Sequence, residues 1–207
     1  MKFYSYVIPR DYGFAPNPYF DYCTLATCKP RIRKSAQIGD WVAAFGAANT
    51  PLCGRLVFMM RVEEILTYDD YWEDERFKCK RPVFNRGVMH MYGDNIYHHV
   101  ENNEWMQEPS HHSLQDGSIN YDNLVRDTQT DRVLIAREFF YFGNNAILIP
   151  NKYAALVGHG RNHMVCLNQE LIIDFINYIH NNYTDQIYGI PYSRKPGRFA
   201  HYRGERR

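Results

Sequence analysis

Three kinds of side chain in this sequence could do chemistry: a knot of charged groups near the N-terminus, a few thiols, and paired imidazoles. Residues 10–18, RDYGFAPNP, hold Arg10, Asp11 and Asn17 in a loop stiffened by one Gly and two Pro. Such a loop suits recognition of a planar polar ligand, because the prolines have already removed freedom that binding would have to freeze. Its plainer alternative is a surface pair between Arg10 and Asp11. Cys23, Thr24, Thr27, Cys28, Lys29, Arg31, Arg33 and Lys34 follow closely. The basic members could neutralise phosphates or form an ordinary solvated run. Cys23 and Cys28 are five apart, which is not a usual zinc spacing, and no CxxC occurs in the chain. Either thiol could be a nucleophile given a base and a lowered pKa, or else a small buried apolar group.

Six of the nine histidines fall in three groups. His98 and His99 follow Asp94, Asn95 and Tyr97; His111 and His112 precede Ser113; His159 and His163 lie in GHGRNH. In extended chain, neighbours point to opposite faces, so each adjacent pair offers one ring inward. One from each pair with Asp94 could bind a metal, or His98 and His112 could serve as acid and base. Gly158, His159, Gly160, Arg161 and Asn162 read as an anion nest or a tight turn. Tyr12, Phe14, Tyr19, Trp41, Trp72 and Trp105 are stacking walls for a base, or core.

These groups must be positioned by elements that the pattern predicts in outline. Lys2 to Ile8 reads as a strand stopped at Pro9, and a second strand follows the turn at Gly39. A third runs from Arg55 to Leu66, with Leu56, Phe58, Met60 and Val62 on one face at period two. Thr67 caps a short helix over residues 68–77, whose Asp69 and Asp70 suit the positive end of the helix dipole. Residues 78–129 are polar and weakly periodic, a length more often functional than idle inside a domain. Residues 133–142 read as one strand, and 146–149 as another that ends at Pro150. The clearest helix covers residues 169–183, capped by Asn168, with Leu171, Ile172, Phe175, Ile176 and Ile179 as its apolar stripe. Short strands, peripheral helices and long loops predict an α+β domain: a curved, mostly antiparallel sheet or a small barrel.

Composition narrows the classes. The 207 residues carry 24 Lys and Arg against 23 Asp and Glu, so no global field draws the chain to nucleic acid or lipid. Locally the balance shifts: from Gly189 onward there are Arg194, Lys195, Arg198, Arg203, Arg206 and Arg207 against Glu205 alone. The expected division is therefore one α+β domain over residues 1–188 and a basic tail over 189–207. Seventeen Tyr, 12 Phe and 3 Trp are a high aromatic load, rich in rings with polar tips. No apolar run is long enough to span a membrane, the N-terminus lacks the pattern of a signal peptide, and the odd cysteine count fits reduced thiols. A cytoplasmic setting is expected.

The run RDYGFAPNP, then YCTLATCKPRIRKSAQIGDWVAAFG and GRLVFMMRVEEILTYDDYW, resembles the second type of nucleotide modification associated domain, a family of bacterial and phage proteins. GDNIYHH at 93–99, HHS at 111–113, the pair Asp127 and Thr128, and YFGNNAILIP at 141–150 are similar to it as well, so the likeness covers residues 3–165. Residues 44–50 depart from the small polar turn that the family would have there. A fainter, fold-level similarity is to the PUA-like barrels, whose EVE and ASCH members accept nucleobases.

The resemblance implies association with base modification, in a DNA-modification or phage-defence setting. The leading expectation is recognition of nucleic acid or nucleotides carrying a modified base. Arg10, Asp11, Tyr12, Phe14, Asn17, Thr24, Lys29, Arg33, Trp41, Asn95 and Tyr97 would contact the ligand, and Lys29, Arg31, Arg33, Arg161, Arg194 and Lys195 the phosphates. The competing reading is an enzyme of transfer or hydrolysis on such a base, with Asp11, Cys23, His98 and His112 as acid, base or nucleophile. A scaffold protein is a third. No cofactor, metal or membrane partner is expected, and a homo-oligomer is compatible with all three readings.

Overall fold

The computed structural model describes residues 1–160, 162–184, 186–195 and 198–201. In chain order its elements are β1 (Phe3–Ile8), β2 (Cys23–Leu25), α1 (Pro30–Ser35), β3 (Trp41–Gly46), β4 (Leu56–Arg61), β5 (Glu64–Leu66), α2 (Tyr68–Glu73), α3 (Val88–Met91), β6 (Tyr97–Val100), β7 (Glu104–Gln107), α4 (Tyr121–Asp127), β8 (Val133–Ala136), β9 (Phe139–Tyr141), β10 (Met164–Cys166) and α5 (Gln169–Asn182). The fold is α+β, and its sheets are open rather than closed into a barrel. The chain divides into two compact units: Met1–Asp11, Ala36–Glu64 and Ala136–Tyr192 form the first, Tyr12–Ser35, Ile65–Ile135 and Ser193–Arg207 the second. Of the segment read as a basic tail, residues 189–192 lie in unit 1 and the described residues from 193 on in unit 2.

Unit 1 is built on a five-stranded sheet in the order β10-β1-β3-β4-β9, parallel only between β1 and β3. One face packs against α5, where Phe3, Trp41, Phe45, Leu56, Met59, Phe140, Ile172, Phe175 and Ile179 form a core. The helix is as the stripe predicts, and Asn168 Oδ1 accepts from the Leu171 N–H at 3.1 Å. The expected single face of Leu56, Phe58 and Met60 is broken, since Leu56 shares this core with Met59. The register slips opposite Ala44 and Phe45, and one extra residue in a strand reverses its alternation. Residues 133–142 are two strands because the Glu63 carboxylate takes the N–H groups of Arg137 and Glu138. Residues 146–149 contribute only an isolated bridge, Ile147 to Leu56.

Unit 2 contains the sheet β2-β8-β5, the hairpin β6-β7 and the short helices α1 to α4. Thr67 caps α2 as expected, but the helix stops at Glu73. Asp74 is extended, and its side chain accepts from Arg76 N–H at 2.9 Å to begin a separate 3-10 turn over Glu75–Lys80. The core is aromatic: Phe14, Tyr68, Tyr71, Phe77, Tyr92 and Tyr97 with Ala26, Ile96, Leu124, Val133 and Ile135. Residues 78–129, read as a long polar stretch, hold α3, the hairpin and α4.

Candidate active site

Cys28 sits between β2 and α1 in a left-handed conformation, φ 58°, followed by Lys29 at φ 43°. Two successive non-glycine residues there cost about 1–3 kcal/mol each, which the surroundings must offset. They do so through hydrogen bonds. The Cys28 N–H donates to Asp127 Oδ1 at 3.0 Å, and its carbonyl accepts from Arg33 Nε at 2.8 Å. Arg33 is fully buried, and its other nitrogens donate to the carbonyls of Thr130 (3.1 Å), Arg132 (2.7 Å) and Asp127. The Tyr68 hydroxyl spans the same two segments, donating to the carbonyls of Ala26 at 2.6 Å and Asp127 at 3.1 Å. The turn that carries Cys28 is thereby tied to the end of α4.

His112 is delivered by the turn of residues 110–113. Ser113 Oγ donates to the Ser110 carbonyl (2.9 Å) and accepts from the Ser110 N–H (3.0 Å), and Asn123 Nδ2 holds the His112 carbonyl at 2.8 Å. Phe14 covers the imidazole at 4.6 Å between ring centroids. His112 Nδ1 lies 2.7 Å from Asp127 Oδ2, and Nε2 lies 3.7 Å from Cys28 Sγ. Asp127, the last residue of α4, also accepts from the Tyr97 hydroxyl at 3.0 Å and from Arg126 Nε at 3.2 Å. A buried carboxylate with four donors is held ionised. His112 and Asp127 are buried, whereas Cys28 keeps some exposure.

The electrostatics follow from this packing. Burial alone raises the Cys28 thiol, but the charge and hydrogen bond of His112, with Arg126, bring its pKa below the ordinary value. Burial works against the His112 imidazolium, and Asp127 and Cys28 overcome it to push the ring up to about 9. Burial likewise opposes ionisation of Asp127, yet His112, Arg126 and Arg33 hold it well below the usual carboxylate range. These shifts favour a thiolate beside an imidazolium whose orientation is set by a carboxylate, an arrangement that suits an activated cysteine. The donor atoms of Cys28, His112 and Asp127 lie within 4.8 Å of one another, a spacing a metal could use. Asp127 is occupied by His112 Nδ1 and three further donors, which leaves Cys28 Sγ and His112 Nε2 as the pair facing one another. Proton transfer suits that pair better than four-coordinate metal binding.

The pattern of Nucleotide modification associated domain 2 matches residues 1–197. The chain belongs to that family. Comparison with curated proteins and with solved structures finds no match for this nucleotide modification associated domain. No helix among its described residues is long and apolar enough to cross a membrane.

The residues singled out in the sequence are distributed as follows. Cys28 and His112 meet, and Phe14, Lys29, Arg33 and Tyr97 surround them. Cys23 is buried in β2, and Thr24 donates to the buried Asp94 at 2.7 Å. Asn17 accepts from Lys80 Nζ at 2.8 Å and donates to the Tyr92 carbonyl at 3.0 Å; Asn95 donates to the carbonyls of Tyr71 and Phe77. Tyr12 stacks on Tyr92 at 5.5 Å, and Arg194 lies over Tyr92 and donates to the Tyr12 carbonyl. His98 bonds Glu108 at 2.9 Å and stacks on Trp72, and Trp105 packs on His99. Arg31 and Lys195 are exposed. In unit 1, Arg10 is exposed, Asp11 is buried with the Tyr141 hydroxyl donating to it, and Trp41 is core. Arg161 lies outside the described residues. Sequence reasoning missed Asp127 as a site residue. Its signal was the Asp127–Thr128 pair closing the polar stretch that also carries His112.

Proposed function

We propose that this domain is a cysteine-dependent transferase or hydrolase of a nucleotide modification system, with Cys28 as nucleophile and His112 as general acid and base. Asp127 orients the ring. The observation that carries this reading is the 3.7 Å approach of Cys28 Sγ to His112 Nε2 with Asp127 on the opposite ring nitrogen. The Cys28 proton rests on His112, and the thiolate attacks an electrophilic carbon, such as a carbonyl carbon, of the substrate. As the tetrahedral adduct collapses, the imidazolium passes its proton to the leaving group, and an acyl thioester remains on Cys28. Water or an acceptor hydroxyl or amine then gives a proton to His112 and attacks the thioester, which restores thiolate and imidazolium. Because the Cys28 N–H is bound to Asp127, stabilisation of the oxyanion falls to other donors.

A base-recognition module would need Arg10, Asp11 and Asn17 available to read a polar edge. Asp11 and Asn17 are buried and bonded within the chain, which favours the enzyme. The test is labelling with substoichiometric iodoacetamide at about pH 7, followed by peptide mapping. Cys28 should be alkylated ahead of Cys53, which is exposed, and His112→Ala should remove that preference. Labelling of Cys53 first, with Cys28 inert, would make the cluster structural.

A further inference from the structure

Unit 2 has a cleft that involves none of Cys28, His112 and Asp127. It holds about 400 Å³ and is lined by Trp72, Arg81, Pro82, Phe84, Glu108 and Pro109, a size ordinary for small-ligand sites. Flat groups are stacked at its wall. The His98 ring lies on Trp72 with 4.0 Å between centroids and 14° between planes, and the Arg81 guanidinium carbon is 3.5 Å from the centroid of the same indole. Two groups so close to one centroid must take opposite faces, so the column runs His98, Trp72, Arg81. Because the indole covers the inner face of Arg81, the outer face is where a further planar group can stack. The polar atoms here are only partly spent. One terminal nitrogen of Arg81 donates to the Trp72 carbonyl, and Nε has no hydrogen-bond partner. Glu108 Oε1 lies 2.9 Å from His98 Nε2, and among the described residues no hydrogen bond engages Oε2 of this partly exposed side chain. Pro82, Pro109 and the 43% exposed Phe84 complete the cleft as apolar walls, the prolines already rigid.

We propose that this cleft binds a nucleobase, its ring stacked on the outer face of Arg81 beside Phe84 and an N–H of its edge donating to Glu108 Oε2. The two opposite charges select the ligand class. A lone phosphate or carboxylate would meet Arg81 but be repelled by Glu108, and an aliphatic ammonium would meet Glu108 but be repelled by Arg81. A neutral planar ring with a polar edge suits both. Guanine suits them best, because its N1–H and N2–H donors stand side by side for a carboxylate and its O6 is an acceptor for a guanidinium. The inference is independent of the role of Cys28, since it uses none of the residues at the thiol.

The experiment titrates the protein with guanosine monophosphate and follows tryptophan fluorescence and heat. Ribose 5-phosphate is the control, since it keeps a sugar and a phosphate and lacks the ring. The nucleotide should quench the indole signal to saturation, and ribose 5-phosphate should leave it unchanged. Glu108→Gln, which keeps a hydrogen-bond partner for His98, should weaken the binding roughly tenfold through loss of the charge-assisted bond. Phe84→Ala, at an exposed position that folding does not depend on, should weaken it roughly fivefold. Glu104→Gln, exposed on the same hairpin, should have no effect. A short single-stranded oligonucleotide with one guanine, set against the free nucleotide, shows by the tighter of the two whether the base arrives in a strand or alone, and either result supports the cleft. Ribose 5-phosphate binding as tightly as the nucleotide, or unchanged affinity in both Glu108→Gln and Phe84→Ala, would overturn it. Should Glu108→Gln fail to fold, Phe84→Ala decides alone.

Discussion

The two units bury different things. Among the described residues, the buried polar or charged side chains of unit 1 are Ser5, Asp11 and Asp40, and the rest of its interior is apolar. Unit 2 buries Arg33, Lys80, Asp94, His111, His112 and Asp127 together with Asn17, Thr24, Asn95, Asn120 and Asn123. A buried ionised group is costly unless paired and hydrogen-bonded, so unit 2 needs the dense bonding seen around Arg33, Asp127 and Asp94. Unit 1 follows the economy of a sheet on a helix. Unit 2 gives up that economy and holds titratable groups at set distances.

The sharpest way to break this contrast is Asp127→Ala. It strands the Cys28 N–H, the buried Tyr97 hydroxyl and His112 at once, and removing one partner of a buried charge cluster costs about 3–5 kcal/mol. Urea unfolding should register that loss, and a change under about 1 kcal/mol would mean that the polar interior is not cooperative. In unit 1, Phe175→Ala should cost a similar 3–5 kcal/mol through lost packing alone. Its folded fraction should keep the Cys28 labelling rate, and a changed rate would show that the site depends on the apolar core.

A subtler discriminator is pH. With the Cys28 pKa lowered and that of His112 raised to about 9, the thiolate–imidazolium pair is the species between those two values, and above the second the thiolate stands without its partner charge. Alkylation of Cys28 should therefore rise at lower pH than for an ordinary thiol, hold a plateau, and change again near pH 9 as the imidazolium loses its proton. In His112→Ala the partner charge is gone and burial dominates, so a single step should move above the ordinary thiol value. A single step at the ordinary value in both proteins would contradict an ion pair. The smallest effect belongs to a local device in unit 1: Asn168→Ala removes the α5 cap and should cost about 1 kcal/mol in the same urea assay.

Much of unit 1 was legible because its signals are local. The strand at Phe3–Ile8 and the helix at Gln169–Asn182 are each announced by periodicity and a cap within a few residues. The split of residues 133–142 was not legible, since its cause is the distant Glu63 side chain. Neither was the change of face along β4, where a bulge overrides a clean alternation. Unit 2 yielded less. The choice between Cys23 and Cys28 depends on which thiol a left-handed turn presents to an imidazole 84 residues further on, and no local pattern encodes that.

The sequence by itself determined the family, the α+β class, the strongest helix with its cap, and a short list of thiols and imidazoles. Those follow from residue types and short-range spacing, and the chain carries them wherever it goes. Only the tertiary structure joined Cys28 to His112 and to Asp127, 99 residues from Cys28, and buried Arg33 where a surface cation was expected. The physical reason is that a site of this kind is made of long-range hydrogen bonds among buried charges. Their geometry, and hence the acidity of the thiol, exists only once both segments are fixed in the folded unit.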